Sequence, residues 1–304
     1  MLLAGSALLG TVLHLSMDAL NSYGVHPFWP VQNRWLYGDS VFIVEPLYWV
    51  ASTPLLLVSR SAVARILIGL VLLAAVGLSS YSGIVPQTLC AGMALLIAIL
   101  FFFASRVSPR VAASLGIAMT IGITAMFITA GAIAAQRVES LAHSRFPSEQ
   151  MLDHILTPMP ANPVCWDLLL LQRQGDDYRA RHAIVSLAPS LLNAHECPVR
   201  ANEKQTASVT PPDASNDAAV RWLGEYQTSA ALLKRTAGSS CIAARAMQFL
   251  RAPFLARLDG AEVIGDLRFD REPQLGFAEL EIEGVPSRCP KAAPWTPPRQ
   301  DLLR

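Results

Sequence analysis

Two long tracts without a charged side chain constrain this sequence more than any other feature. They cover residues 85–105 and 111–136. A charge at mid-bilayer costs several kcal/mol, and a helix needs about 20 apolar residues to cross ~30 Å of hydrocarbon. Both tracts are therefore predicted to be transmembrane helices.

Three further segments are predicted to enter or cross the bilayer, which makes about five helices in all. Residues 66–81 reach span length if the Arg65 side chain extends to the interface, as long cationic side chains can. Residues 41–59 are interrupted by Glu45-Pro46 and by Pro54. Residues 1–20 are interpreted as a retained helix, because they lack the basic start and small-x-small cleavage site of a signal peptide.

The charge is distributed unevenly along the chain. Residues 1–136 hold eight charged side chains, and residues 137–304 hold the other 39. The sequence therefore predicts a transmembrane helical domain over 1–136 and a soluble domain over 137–304. The net charge of +1 gives no basic patch of the kind that nucleic-acid binders need, so that class is excluded.

The arginines of the short loops predict the orientation. Arg60 and Arg65 flank one predicted link between helices, and Arg106 and Arg110 flank another. Cationic short loops stay in the cytoplasm, so these links are predicted to face inward. Residues 21–40, residues 82–86 and the C-terminal domain are then predicted to face outward.

The cysteines agree with an exported C-terminal domain. Cys90 lies in a predicted span, and four others fall in the soluble domain. An even number in an outward-facing domain fits two disulfides, with three connectivities left open. Four reduced cysteines in a cytosolic domain are the alternative, and a zinc site is disfavoured because no C-x-x-C spacing occurs. The four are Cys165, Cys197, Cys241 and Cys289.

The soluble domain is predicted to be a small α+β domain. A turn at residues 174–177 predicts a hairpin between two strands, and Asp217 could cap a following helix. Prolines at 158, 160 and 163 are predicted to end a juxtamembrane helix. The predicted helices are 136–163, 213–237 and 241–250, and the predicted strands are 164–172, 178–187, 261–269 and 277–283.

One polar constellation in the apolar region could carry chemistry. On a helix, His14, Asp18 and Asn21 stand at i, i+4 and i+7 and share one face. Polar groups in a span normally face a bundle interior or a wet cavity, and an imidazole with a carboxylate can bind a divalent metal. Asp39 and Glu45 could return two carboxylates to this face as further ligand or general base.

Each of these residues also has a structural interpretation. His14 and Asp18 could form a simple hydrogen bond, and His26 before a proline could be a loop residue rather than a metal ligand. Asp39 could be a helix cap and Glu45 a helix-start carboxylate. The site interpretation rests on number, since three acids and two histidines fall within 32 residues of a region almost free of other charge.

The same residues carry a resemblance to a known family. The matching motifs are His14-x-x-x-Asp18, Asn21-Ser22-Tyr23-Gly24, Phe28-Trp29-Pro30, Asp39 and Phe42-Ile43-Val44-Glu45-Pro46-Leu47, with Asn162-Pro163, Trp166 and Asp266-Leu267-Arg268-Phe269 in the soluble domain. The sequence resembles the membrane-bound metal-dependent hydrolases of bacteria, described as LexA-binding and inner-membrane-associated. Glu45 stands where that family usually has Asp, which keeps the carboxylate.

The resemblance implies a metal site at His14, Asp18, Asn21 and His26, with Asp39 and Glu45 in catalytic roles. It also implies that histidines of preceding helices, in an H-R-G-x-T-H-S-like motif, complete the site. That motif does not occur in this sequence. Two alternatives stay open: the chain starts at an internal methionine, or it is a shortened, inactive relative.

The sequence thus leads to two hypotheses of different classes. The first is a hydrolase of the bacterial inner membrane, with its C-terminal domain in the periplasm. It uses zinc or manganese to activate water at the outer face of that membrane, on a lipid-linked or phosphoester substrate. The second is a non-catalytic membrane-anchored scaffold or envelope-stress protein. A transporter is disfavoured, because the last two predicted spans carry no charge and no paired broken helices appear.

Overall fold

A computed structural model describes residues 2–58, 61–81, 83, 85–199, 206–212, 214–270, 274–282, 289 and 291–304. Met1, Ser59, Arg60, Ser82, Asp213 and Glu283, on which some predictions fall, lie outside these residues. The helices are α1 (Leu2–Asp18), α2 (Pro46–Ala51), α3 (Ala62–Tyr81), α4 (Gln87–Ala104), α5 (Pro109–Arg145), α6 (Ala230–Ser239), α7 (Cys241–Ala246) and α8 (Gln300–Leu303). The strands are β1 (Gln150–Met159), β2 (Asn162–Gln174), β3 (Asp177–Ser186), β4 (Val220–Ser229), β5 (Pro253–Leu258), β6 (Ala261–Asp266) and β7 (Leu280–Glu281).

Three of the described helices, α3, α4 and α5, are long and apolar enough to cross a bilayer, with mean hydropathies of 2.3, 2.2 and 2.0. This confirms the three predicted spans at 66–81, 85–105 and 111–136. The predicted total of about five is not confirmed. The predicted first helix exists as α1, but it has 17 residues, and its apolar side chains are exposed, as Leu3 is at 88%.

Residues 41–59, predicted as a span candidate interrupted by Glu45-Pro46 and Pro54, do not form one continuous helix in their described part. The chain forms α2, breaks at Ser52, and continues as a 3-10 helix over Thr53–Leu57. Pro54 lies in the first turn of the 3-10 helix, where it cannot donate a backbone hydrogen bond to α2. The broken segment still runs along α5, because the Tyr48 hydroxyl lies 2.9 Å from Thr124 Oγ1 and the Ala51 carbonyl packs against Gly116.

Helix α5 connects the membrane region to the sheet domain. Its 37 residues span about 55 Å at about 1.5 Å per residue, well beyond the ~30 Å of hydrocarbon. Ala134, Val138 and Ala142 on its last third are buried in the core of the sheet domain. The predicted helix 136–163 is therefore correct only to Arg145. Since α5 is continuous through residues 136 and 137, the predicted domain boundary corresponds to no break in secondary structure and stays a prediction.

The sheet domain is built around an antiparallel meander of β1, β2, β3 and β4 in that order. The predicted hairpin is confirmed as β2 and β3, with Gly175 at φ 61° in the turn. One face of this sheet packs on α5 through Leu168 and Leu170, and the other carries Leu169 and Leu171. A second antiparallel sheet of β5, β6 and β7 follows.

The predicted helix over residues 213–237 is wrong in its first half. Residues 220–229 form β4, and α6 begins only after Ser229, whose hydroxyl accepts a hydrogen bond from the Leu232 N–H. Val220 and Trp222 lie on the buried face of the strand, whereas Trp222 and Tyr226, four residues apart, also fit the spacing of one helix face. Asp217 does not cap a helix, because its carboxylate accepts from the N–H groups of Ala219 and Val220 in the turn before β4.

Other boundaries are shorter than predicted. Helix 241–250 ends as α7 at Ala246, and strand 261–269 ends as β6 at Asp266. Within the predicted strand 277–283, the described residues form a strand only over β7.

The four cysteines of the sheet domain form two pairs at disulfide distance. Cys165 pairs with Cys197 and Cys241 with Cys289, and both Cα–Cα distances are 5.8 Å. Cys90 is unpaired and buried in α4. The prediction of two disulfides is confirmed, and the structure selects one of the three connectivities.

Candidate functional site

The predicted helical pair is present near the end of α1. His14 Nε2 lies 3.3 Å from Asp18 Oδ2, and the two side chains are 77% and 36% exposed. Helix α1 ends at Asp18, so Asn21 does not continue the same helical face. Its amide oxygen instead accepts a hydrogen bond of 2.7 Å from the Tyr23 N–H, which holds the following turn.

His26 is held between aromatic rings. Its ring centroid lies 3.9 Å from that of Trp35 and 4.5 Å from that of Trp295, with which it stacks. Burial lowers the pKa of His26 and so favours the neutral imidazole. Its Nε2 atom is buried with no hydrogen-bond partner among the described residues. This side chain joins the loop after α1 to the C-terminal segment.

Asp39 is bound by an arginine of the sheet domain. Arg251 donates to both oxygens of Asp39 at 2.7 Å, and it also donates to both oxygens of Asp153 at 2.9 and 3.1 Å. The guanidinium stacks over the Tyr37 ring at 4.1 Å. Burial raises the pKa of Asp39 despite Arg251, and the charge of Asp153 beside it adds to the rise. Burial alone would also raise the pKa of Asp153, but Arg251 outweighs it and lowers that pKa.

Glu45 is a buried helix cap that also contacts the sheet domain. One carboxylate oxygen accepts from the Leu47 N–H at 3.0 Å, and both accept from the Ala161 N–H at 3.1 and 3.2 Å. Burial raises the pKa of Glu45 to about 7, against the lowering effect of these hydrogen bonds. Its cap role matches the structural interpretation from sequence, whereas the contact with Ala161 was not foreseen.

A second arginine clamp escaped prediction. Arg268 donates to both oxygens of Asp266 at 3.0 and 2.8 Å and to the carbonyl oxygens of Ser22 and Tyr23 at 2.7 and 3.1 Å. The Asp266-Leu267-Arg268-Phe269 motif carried a signal for Arg268. No local pattern marked Arg251, because its partners stand far away in the sequence.

These positions decide whether a metal fits. No three His, Cys, Asp or Glu side chains converge within the part of the chain that the structure describes. A catalytic zinc site takes about three protein ligands and leaves a position for water. His14 and Asp18 could supply two, while Asn21, Asp39 and Glu45 are engaged elsewhere. The described residues therefore do not make up a complete catalytic metal site.

The first part of the chain resembles a known protein family. Residues 2–85 match the family model described as YdjM inner membrane protein. We call these residues the YdjM-like segment; it holds α1, the loop with the predicted site residues, α2 and α3. Comparison with curated proteins and with solved structures gave no significant match. Together with the three apolar helices, the match shows a membrane protein in contact with lipid.

Proposed function

We propose that this chain anchors a disulfide-bonded sheet domain at the periplasmic face of the bacterial inner membrane and holds it in a fixed position there. The observation that carries the proposal is the Arg251 bridge, which ties Asp39 of the YdjM-like segment to Asp153 on β1. Glu45 with Ala161 and Arg268 with Ser22 add two further contacts between the same parts. Asp39 and Glu45 of the YdjM-like segment thus have a docking role.

The orientation is supported by the positions of the arginines. Arg65, Arg106 and Arg110 lie at the starts of α3 and α5 and the end of α4, whereas the sheet domain follows the far end of α5. Short cationic loops stay cytoplasmic, so the sheet domain lies in the periplasm under this proposal. The two cysteine pairs suit that oxidising compartment.

Substitution of the bridging arginine tests the docking. In Arg251→Met, buried Asp39 loses its cation and Asp153 keeps only Arg299 at 3.5 Å; breaking a buried ion pair costs roughly 3–5 kcal/mol. We expect a lower thermal midpoint and faster hydrogen exchange in residues 19–45. Arg257→Met is the matched control, because Arg257 is exposed and lies 3.9 Å from Glu262. Equal behaviour of the two variants would contradict the proposal.

A second candidate function is metal-dependent hydrolysis of a lipid-linked or phosphoester substrate at the same face. The specific observation in its favour is the His14–Asp18 pair, exposed on α1 within the YdjM-like segment. Zinc and manganese are the divalent ions proposed for it. This function needs at least one more ligand than the described residues bring together.

Metal content separates the two candidates. The full chain is purified from membranes without chelator, and zinc and manganese are measured beside His14→Ala and Asp18→Ala. The hydrolase candidate predicts a stoichiometric metal that both substitutions remove. Absence of metal, or equal metal in all three proteins, leaves the anchor as the function.

A further inference from the structure

A cavity of about 380 Å³ lies between the YdjM-like segment and the sheet domain. Its walls come from the turn after α1, from residues just before α2, from the face of the meander that points away from α5, and from the segment after β6. This volume is within the range of small-ligand sites, about 300–1,000 Å³. Of the candidate metal ligands, Asn21 lines the cavity, whereas His14 and Asp18 do not.

Most of the wall is apolar. At the mouth, Ile43 and Phe277 are 60% and 56% exposed. Ile43 lies two residues before Glu45, and Ser40 lies beside Gly131 in the last turns of the charge-free part of α5. The mouth is therefore close to the end of the longest apolar helix, and a hydrocarbon chain would enter the cavity from this side. The inner apolar wall consists of Phe42, Ile155, Leu169, Leu267 and Phe269.

Polar groups cluster on one wall of the cavity. His182 Nε2 lies 3.0 Å from Asp167 Oδ1, and both side chains are 17% exposed. The register between β3 and β4 shifts by one residue between His182 and Ala183, and irregularities of this kind are common beside binding sites. The hydroxyls of Ser22 and Thr157 form a second pair at 3.1 Å. Imidazole and hydroxyl groups can both donate and accept hydrogen bonds.

The charges of the wall select against an anionic ligand. Asp167 and Asp270 both line the cavity, and Arg268 lines it as well. The Arg268 guanidinium is paired with buried Asp266, which adds another negative charge behind the wall. Carboxylates therefore outnumber the guanidinium, and a phosphate or carboxylate head group would meet like charge at low dielectric.

We propose that this cavity binds a single-chain amphiphile with an uncharged, hydroxyl-bearing head group, taken from the outer leaflet of the membrane. The chain lies along the apolar wall, and the head-group hydroxyls exchange hydrogen bonds with His182, Thr157 and Ser22. A monoacylglycerol has this chemistry.

Photocrosslinking tests the proposal on the full chain in phosphatidylcholine nanodiscs. The probe is a monoacylglycerol with a diazirine in its acyl chain, and labelled peptides are mapped by mass spectrometry. We expect labels in β1, β2 and Leu267–Asp270. Unlabelled monooleoylglycerol should compete about tenfold better than oleic acid or oleoyl lysophosphatidic acid, which corresponds to one lost hydrogen bond and added repulsion. Labels confined to α3, α4 and α5, or equal competition by the anionic lipids, overturn the proposal.

Two substitutions locate the site. Leu169→Trp fills the cavity and should abolish labelling of the sheet, with exposed Leu191→Trp as its control. Thr157→Val removes one hydroxyl at nearly constant volume and should weaken monoacylglycerol competition about three- to tenfold. Thr129→Val, on the exposed face of α5, is the matched control and should have no effect. Thermal unfolding confirms that each variant is folded, and unchanged labelling in a folded Leu169→Trp protein overturns the proposal.

Discussion

Glu45 shows how one buried carboxyl makes the junction sensitive to pH. Burial raises its folded pKa to about 7 from an ordinary 4.5. Between these values the folded protein keeps a proton that the unfolded chain has lost, so stability falls as pH rises from about 4.5 to about 7. Below this window the contribution is constant and favourable, and above it the cost of the buried charge is fully present.

The substitution Glu45→Gln tests this linkage. Oε1 of Glu45 accepts from both Leu47 and Ala161, so a glutamine oxygen can keep both hydrogen bonds without a charge. We expect thermal midpoints of the wild type to fall between pH 5 and pH 7.5 relative to those of the variant. The two proteins measured side by side in the same buffers give the comparison, and parallel curves would contradict it.

The sequence marked two unusual acids but did not identify the groups that bind them. Asp39 and Glu45 stood out because acids are rare in residues 1–136. Arg251 lies 212 positions after Asp39, and the Ala161 N–H is a backbone group, so no spacing rule could connect them. The metal interpretation and the docking interpretation use the same residue types, and only the fold separates them.

Among the elements, α5 comes close to two other parts of the molecule at Gly131. A Cβ atom there would come within 3.1 Å of Ser40 Oγ and 3.3 Å of the Trp166 ring. Glycine lets the helix approach the loop after α1 and β2 at once, at the point where membrane region and sheet domain meet.

Gly131→Leu should therefore destabilise the junction. Overpacking of this kind costs about 1–3 kcal/mol. The matched control is Gly122→Leu on the same helix, where a Cβ would meet nothing within 4 Å. We expect a lower thermal midpoint for the first variant only, measured by tryptophan fluorescence in nanodiscs; a similar loss in both would point to helix insertion rather than packing.

Elements were predictable where one physical signal dominated. The spans α3, α4 and α5 followed from uninterrupted hydropathy, and the β2–β3 hairpin followed from alternation around Gly175. The prediction of a helix where β4 lies was wrong because Trp222, Leu223 and Tyr226 also fit helical spacing. The pairing of β4 with β3 is a tertiary effect that local sequence does not show. The interruption of residues 41–59 also followed from the sequence, because Glu45-Pro46 and Pro54 marked it, but the 3-10 geometry after Ser52 did not.

For the whole molecule, the proposed orientation predicts which surfaces a membrane-impermeant maleimide can reach. Ser190 is exposed on the sheet domain, and Ser105 is exposed between α4 and α5. In intact spheroplasts, Ser190→Cys should be labelled and Ser105→Cys should not; permeabilisation should make the second reactive. Buried Cys90 gives little background. The reverse pattern would place the sheet domain in the cytoplasm and contradict the proposed function.

Helix α5 runs without a break from the membrane region into the sheet domain, so a change in bilayer thickness is expected to tilt that domain. A helix longer than the local hydrocarbon accommodates a thinner membrane by tilting. Because Ala134, Val138 and Ala142 are buried in the sheet core, the sheet domain tilts together with α5. Lipid composition would then reorient the sheet domain without any ligand.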